Sequence, residues 1–493
     1  MQLEFTNASL TEAVVDALVL SFPESEAPPA DLPEVLRPWL EAAWADHTFR
    51  GAEGACEVLY PIPGVGARRL VLLGLGKDTL TPEAWRKVLA AAVGALHGKA
   101  RSMAVGLPAQ LPPAEAAEAT AEAVALAAFE TRLYQTAEDK DKKDEQKLAT
   151  LWLGLAADGP EATAAHRGLD LARVVNRART LSNMPGNKLT VSDLRDEALA
   201  VAQRAGLTAR VLEFEDLQRE GFGCLVGVGQ GSAHRPCFVA LEYHGAPVAD
   251  AAPIVLVGKG ITFDTGGICI KPRAGMEEMK TDMHGVATVL GVLEVAAARQ
   301  LPLNLVGLLP IAENMPSGRA LKPGDLLTAY NGLVVEVIDT DAEGRLILSD
   351  ALAYGAKHYQ ARYTIDVATL TGSIIMALGY AASGLFSTDD ALAEALRQAG
   401  EATGERLWRF PIWDAYEFMV KSDIADLANS HPEKGDAIAG AMFLKRFAGA
   451  APWAHLDIAG PSYLSEGKDY RPKGSTGVGI RLLIHWLSQL TTA

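Results

Sequence analysis

Three segments of this 493-residue chain gather carboxylates, lysines and glycines in a pattern suited to a pair of divalent cations. The first, Gly258-Lys-Gly-Ile-Thr-Phe-Asp-Thr-Gly-Gly-Ile-Cys-Ile-Lys271, sets Lys259, Asp264 and Lys271 among glycines that let the backbone turn closely. The second, Met279-Lys-Thr-Asp-Met-His-Gly285, brings Asp282 to the head of an apolar helix, where a lone aspartate would ordinarily only cap the helix. The third, Asp339-Thr-Asp-Ala-Glu-Gly-Arg-Leu346, places Asp341, Glu343 and Arg345 between a strand and a helix. Together Asp264, Asp282, Asp341 and Glu343 carry four negative charges. Two dications balance them, whereas one would leave uncompensated charge in a largely buried site. Ions roughly 3.5–4 Å apart can share bridging carboxylates, polarise a carbonyl and lower the pKa of a bridging water from about 15.7 towards 7, which yields a hydroxide-like nucleophile at neutral pH.

The elements that must position these loops read as alternating strands and helices from about residue 183 onward, the pattern of a mostly parallel sheet covered on both faces. Pro253–Gly258, Leu333–Ile338, Arg362–Val367 and Ala454–Ile458 are strand-like and each runs into a polar or glycine-rich loop. Chemistry in such sheets is sought beyond the carboxyl ends of the strands. The N-terminal part mixes apolar strands such as Arg69–Gly76 with alanine-rich helical stretches such as Pro113–Arg132 and holds no catalytic cluster. A charged run, Glu138–Lys147, reads as a solvated segment near a domain edge. The fold class expected is α/β: a smaller N-terminal α/β domain over 1–160, a connecting helix over 161–182, and a larger catalytic domain over 183–493 with a mostly parallel central sheet.

Composition bounds the function. Hydrophobic residues make up 49% and charged residues 22% of the chain, and no stretch approaches the roughly 18 apolar residues that span a bilayer, so the chain reads as soluble and without a membrane partner. Glu4, Glu12 and Asp16 interrupt the N-terminus where an export signal would be apolar. Four cysteines without close pairing suggest neither a disulfide framework nor a thiolate zinc site, and a cytoplasmic location follows as the expectation. The net charge of −16 disfavours nucleic acid as a general partner.

The combined pattern resembles the leucyl aminopeptidase (cytosol aminopeptidase) family, whose NTDAEGRL signature is matched by Asp339–Leu346. The likeness continues through VGKGITFDTGG, MKTDM, the TLTG segment Thr369–Gly372, His455–Gly460 and Gly474–Gly477, and covers essentially residues 180–493; Leu73-Gly-Leu-Gly-Lys77 extends it weakly to the N-terminal part. The resemblance implies an exopeptidase that releases N-terminal amino acids, leucine-like ones preferred, from peptides with a free N-terminus. One metal would be held by Lys259, Asp264, Asp282 and Glu343, and a more exchangeable one by Asp264, Asp341 and Glu343. A ligating Lys259 must be neutral, and moving its pKa from about 10.4 to 7 costs on the order of 4–5 kcal/mol. The same resemblance gives Lys271 the role of stabilising the charge that develops on the substrate carbonyl. It makes Arg345 the holder of a bicarbonate that acts as general base, and places Met279, Thr369, Leu370 and Gly372 around the substrate. Zn²⁺, Mn²⁺ and Co²⁺ all suit such donors. A homohexamer, a dimer of trimers, is the implied assembly.

Two residues depart from the family pattern: Asp339 stands where asparagine is usual, and His284 where small residues or cysteine are typical. His284 is read as a packing or supporting residue and left out of the ligand set. Gly227–Gly231 lacks the spacing of a dinucleotide loop, and Asp339–Asp350 has neither the upstream helix nor the final glutamate of a calcium-binding EF-hand. A two-metal phosphoesterase and a DNA-binding protein are the competing readings.

Overall fold

The computed structural model describes residues 1–29, 32–60, 62–77, 79–131, 134–136, 147–248, 250–431 and 435–491. Of the charged run, residues 138–146 lie outside them. The chain divides into two compact units, Met1–Asn176 with Ser465–Lys473, and Arg177–Leu464 with Gly474–Ala493.

The first unit is built on a six-stranded sheet in the order Gln2–Phe5, Thr150–Leu153, Ser102–Val105, Ala17–Phe22, Leu70–Gly74, Cys56–Leu59. All pairs are parallel except the last. Leu70–Gly74 is buried at every position, as a strand covered on both faces must be. The helix Pro82–Ala95 starts where proline fits the first turn and Thr81 Oγ1 accepts the Ala84 amide at 3.1 Å.

The second unit carries the larger sheet, ordered Leu407–Arg409, Ser383–Ser387, Trp453–Asp457, Tyr363–Ala368, Ile254–Gly258, Asn304–Asn314, Cys237–His244, Thr208–Leu212, with Gly260–Asp264 paired to the far end of Asn304–Asn314. Its centre, from Trp453–Asp457 to Asn304–Asn314, is parallel. Antiparallel pairs stand towards both edges. One expected strand belongs elsewhere: Val334–Glu336 lies in a separate three-stranded sheet between Leu326–Thr328 and Leu427–Ala428. A short antiparallel connection turns the chain back on itself there.

The helix His284–Ala298 is buried almost all round and packs its first turn on the ends of two central strands. That approach requires glycine. A Cβ at Gly285 would lie 2.2 Å from the Val367 carbonyl oxygen and 2.6 Å from the Lys259 nitrogen. The helix Glu343–His358 is fixed by Asp350, a fully buried carboxylate that accepts the Leu225 amide at 2.9 Å and the Tyr330 amide at 2.8 Å. Burial pushes its pKa up to about 7 against the pull of these backbone N–H groups. Asp350→Asn turns an acceptor into an NH₂ that faces a backbone donor, with an expected loss of about 1–3 kcal/mol in urea unfolding. Unchanged stability would show that the carboxylate does not hold the helix.

Candidate metal centre

Lys259 follows the Ile254–Gly258 strand directly, and Asp264 ends the Gly260–Asp264 strand. Asp282 closes the short helix Met276–Thr281. Asp341 and Glu343 flank the start of the helix Glu343–His358. The three segments therefore converge in one cluster, with Lys259 and Asp264 at strand ends, where chemistry in α/β sheets is placed.

The cluster has a deep side and an open side. On the deep side Lys259, 3% exposed, places Nζ 2.7 Å from Asp282 Oδ2 and 2.8 Å from Glu343 Oε1, and donates to the Thr369 carbonyl at 2.9 Å. A Cβ at Gly344 would lie 2.6 Å from Lys259 Cε, so only glycine lets the helix close over this side chain. Thr369 Oγ1 donates to Asp282 Oδ1 at 2.6 Å. Asp282 spends its side chain on these partners and leaves the His284–Ala298 helix without a side-chain cap. On the open side Lys271 Nζ lies 2.8 Å from Asp264 Oδ2 and 2.6 Å from Asp341 Oδ1, with the lysine and Asp341 side chains 20% and 32% exposed. Glu343 links the two sides: one carboxylate oxygen from each of Asp264, Asp341 and Glu343 falls within a 4.8 Å span.

Charge crowding shows in the proton affinities. Burial, then Lys259 opposing and Glu343 and Asp264 assisting, leaves the Asp282 carboxyl well above the usual range. Burial and Asp264 push Asp341 up to about 7, with Lys271 opposing. Burial opposes the ammonium of Lys259, but Asp282, Glu343 and Asp264 outweigh it and raise its pKa above the ordinary lysine value. Lys271 is raised in the same way, burial opposed by Asp264, Glu343 and Asp341. Glu343 Oε2 is buried with no hydrogen-bond partner. A pocket of acidic oxygens that hold lysine cations and leave one oxygen unsatisfied fits divalent metal ions as the group that completes it.

Sequence reasoning missed the residues that hold these loops. Asn314 Nδ2 donates to Asp264 Oδ1 at 2.8 Å and to the Thr340 carbonyl at 3.0 Å, joining two of the loops. Asn429 uses its whole amide: Oδ1 accepts from the Ile338 and Asp339 amides at 2.7 and 3.2 Å, and Nδ2 donates to the carbonyls of Asp339 and Ala342 at 2.7 and 3.2 Å. Their only signal in the sequence is residue type, since each partner lies tens of residues away. Asp339, the departure from the family pattern, accepts the Asp341 amide at 2.9 Å. Arg345 stands apart from the lysines and carboxylates of the cluster: Nη1 donates to the Asn429 carbonyl at 3.0 Å and Nη2 to Asp436 Oδ1 at 2.5 Å. Leu370 donates its amide to Asp457 at 3.1 Å, Gly372 is exposed, and Met279 is half-buried on the short helix that delivers Asp282.

His284 lies fully buried with Nδ1 and Ser475 Oγ 2.9 Å apart and Nε2 without a hydrogen-bond partner. Burial, then Arg179, holds its pKa down to about 3 from an ordinary 6.5. The unfolded chain therefore takes up a proton that the fold refuses. The stability tied to this residue is complete above about pH 6.5 and is lost as pH falls towards 3. His284→Gln is expected to flatten the acid limb of a plot of melting temperature against pH, and an unaltered limb would contradict it.

A family model described as the cytosol aminopeptidase family, catalytic domain, matches residues 176–484, and its N-terminal-domain counterpart matches residues 18–138. A probable cytosol aminopeptidase of Geobacter sp. (strain M21) is 45% identical over 445 residues, 89% of each chain. One from Roseiflexus castenholzii (strain DSM 13941 / HLO8) is 43% identical over 503 residues, 100% of each. Among solved structures, the bottromycin maturation enzyme BotP in complex with Mn superposes with a TM-score of 0.84 at 34% identity, over 97% of this chain and 100% of that one. A tomato leucine aminopeptidase mutant gives 0.86 at 31% identity, over 99% and 96%.

Proposed function

The chain belongs to the cytosol aminopeptidase family, and from that premise we propose that this metallo-aminopeptidase works at the cluster of Lys259, Asp264, Asp282, Asp341 and Glu343, removing leucine-like residues from peptides with a free N-terminus. The observation that carries the reading is the convergence of Asp264, Asp341 and Glu343 oxygens within 4.8 Å. Asp264 and Glu343 would hold both ions, Lys259 and Asp282 would complete the deep position and Asp341 the open one. When bound, two divalent ions, Zn²⁺, Mn²⁺ or Co²⁺, supply Lewis acidity to a carbonyl and acidify a water between them. To hold an ion Lys259 would have to give up the proton that its carboxylates stabilise, so metal loading would release a proton. Lys271 keeps its charge on the open side and stabilises the oxyanion more than the neutral substrate, which is the condition for acceleration. Asp282 and Asp264 hold these lysines in register.

The resemblance assigns a bicarbonate, acting as general base, to Arg345, whose Nη1 and Nη2 each make one donation to the protein and whose Nε is buried without a partner, so N–H donors remain for it. Met279, Thr369, Leu370 and Gly372 surround the substrate in this reading, and Met279 supplies the apolar wall that favours leucine. The domain boundaries proposed are 1–160, 161–182 and 183–493. The assembly proposed is a homohexamer, a dimer of trimers, and the location the cytoplasm, which suits four cysteines that are all unpaired; no helix among the described residues is long and apolar enough to cross a membrane.

The test is a pair of leucyl peptides, one with a free and one with an acetylated N-terminus, offered with Mn²⁺ or Zn²⁺. Release of leucine from the free peptide alone is expected. Cleavage confined to phosphate esters would overturn the reading.

A further inference from the structure

Asp339 is a half-buried carboxylate whose place is fixed and whose charge is unspent. Asn429 grips its main chain twice, Oδ1 accepting the Asp339 amide at 3.2 Å and Nδ2 donating to the Asp339 carbonyl at 2.7 Å. Its own Oδ1 accepts the Asp341 amide at 2.9 Å. Among the described residues no lysine, arginine or histidine pairs with it, and Oδ2 has no hydrogen-bond partner. The asparagine usual in the family at this position would hold the same amide through its own Oδ1 without any charge. The loop therefore does not need the charge, which is left for a cation from outside the chain.

The cluster leaves a peptide one way out. On the deep side the Lys259 and Glu343 side chains are 3% and 2% exposed, while on the open side those of Lys271 and Asp341 are 20% and 32% exposed. A substrate held at the cluster by its N-terminus therefore carries its second residue past the open side. Asp339 stands at that exit. The amide that it accepts belongs to Asp341, whose Oδ1 lies 2.6 Å from Lys271 Nζ, and bond lengths put the carboxylates of Asp339 and Asp341 no more than about 7 Å apart. The long side chain of a lysine or arginine spans such a gap. Ile270 and Ile338, both exposed, immediately precede Lys271 and Asp339 and give the aliphatic stem of that side chain an apolar surface to lie along. Lys271, the cation of the open side, is matched by Asp264 and Asp341, so it does not neutralise Asp339.

We infer that Asp339 makes this enzyme select peptides whose second residue is lysine or arginine and disfavour those whose second residue is acidic. The inference deepens the aminopeptidase reading above and rests on it. The first residue is sorted by its fit to the apolar wall, the second by its charge. The net charge of −16 attracts cations to the whole surface, so the feature that belongs to Asp339 is a preference that disappears when this one charge is removed.

The experiment offers metal-loaded wild type and Asp339→Asn three dipeptide amides, leucyl-lysine, leucyl-norleucine and leucyl-glutamate, whose blocked C-termini leave the second side chain as the variable charge. Ratios of kcat/KM are taken within each enzyme, so any general loss of activity in the variant cancels. Wild type is expected to favour lysine over the neutral norleucine by about fivefold and to disfavour glutamate by about as much, the upper end of what a partly exposed ion pair supplies. Asp339→Asn should bring both ratios to within about twofold of unity. In wild type the lysine preference should also shrink as salt is raised from 0.05 to 0.5 M, because a partly exposed pair is screened. The salt series needs no variant, so it tests the inference even if Asp339→Asn does not fold. Equal rates on all three peptides in wild type, or a lysine preference that Asp339→Asn keeps in full, would overturn the inference and leave the aminopeptidase reading intact. Absence of hydrolysis of every peptide by wild type would overturn both.

Discussion

Glu343→Gln is expected to abolish measurable leucine release, with a loss of at least about 10³-fold in kcat/KM, equal to about 4 kcal/mol and the several kcal/mol that metal polarisation supplies. The substitution keeps the shape and removes the charge of the side chain that joins the deep and open halves of the cluster. Glu343 lies 2.8 Å from Lys259 Nζ through Oε1, while Oε2 has no hydrogen-bond partner in its buried place. A neutral amide in that place competes poorly for a dication, so metal content should fall from two ions per chain to at most one. The fold should survive, because Lys259 retains Asp282 at 2.7 Å and the Glu343 carboxyl is itself disfavoured by burial and by Asp264. Elemental analysis beside a thermal melt checks both halves of the statement. Full metal content with lost activity would assign Glu343 to proton transfer instead of metal holding.

Lys271→Met separates catalysis from metal holding in the other direction. Its ammonium lies 2.8 Å from Asp264 and 2.6 Å from Asp341, where it balances charge that a metal would otherwise balance. Removing this competitor should leave metal affinity unchanged or tighter. The oxyanion loses its stabilising cation, and kcat should drop about 10²–10³-fold, or about 2.7–4 kcal/mol, the cost of deleting one oxyanion donor. KM should move far less, since the charge that Lys271 meets develops only on the way to the tetrahedral species. A parallel loss of metal and kcat would reduce Lys271 to a structural ion pair.

Asp264, Asp341 and Glu343 were legible in the sequence because each follows a strand end within a few residues, and Asp282 because it stands at the head of an apolar helix. Their supports were not, because they act across long stretches of chain. Asn429 reaches the 338–342 loop from about ninety residues away, riding on the short strand Leu427–Ala428 that pairs beside Val334–Glu336. The strand-like run 333–338 carried no mark of which sheet it would join, and only the antiparallel pairing of Leu326–Thr328 with Val334–Glu336 decides it. Lys259 shows a different limit. Sequence identifies it as a candidate ligand, yet the protonation it starts from is a property of three carboxylates brought together from separate loops. Asp436 shares no local motif with Arg345, and contact across 91 residues makes the pair.

The centre itself is tested most directly by anomalous scattering from crystals of fully active, Mn²⁺-loaded enzyme. The account predicts two peaks per chain inside the cluster, with Asp264 and Glu343 between them, Lys259 and Asp282 on the buried side and Asp341 on the solvent side. A single peak, or peaks that lie away from these side chains in an active crystal, would contradict it.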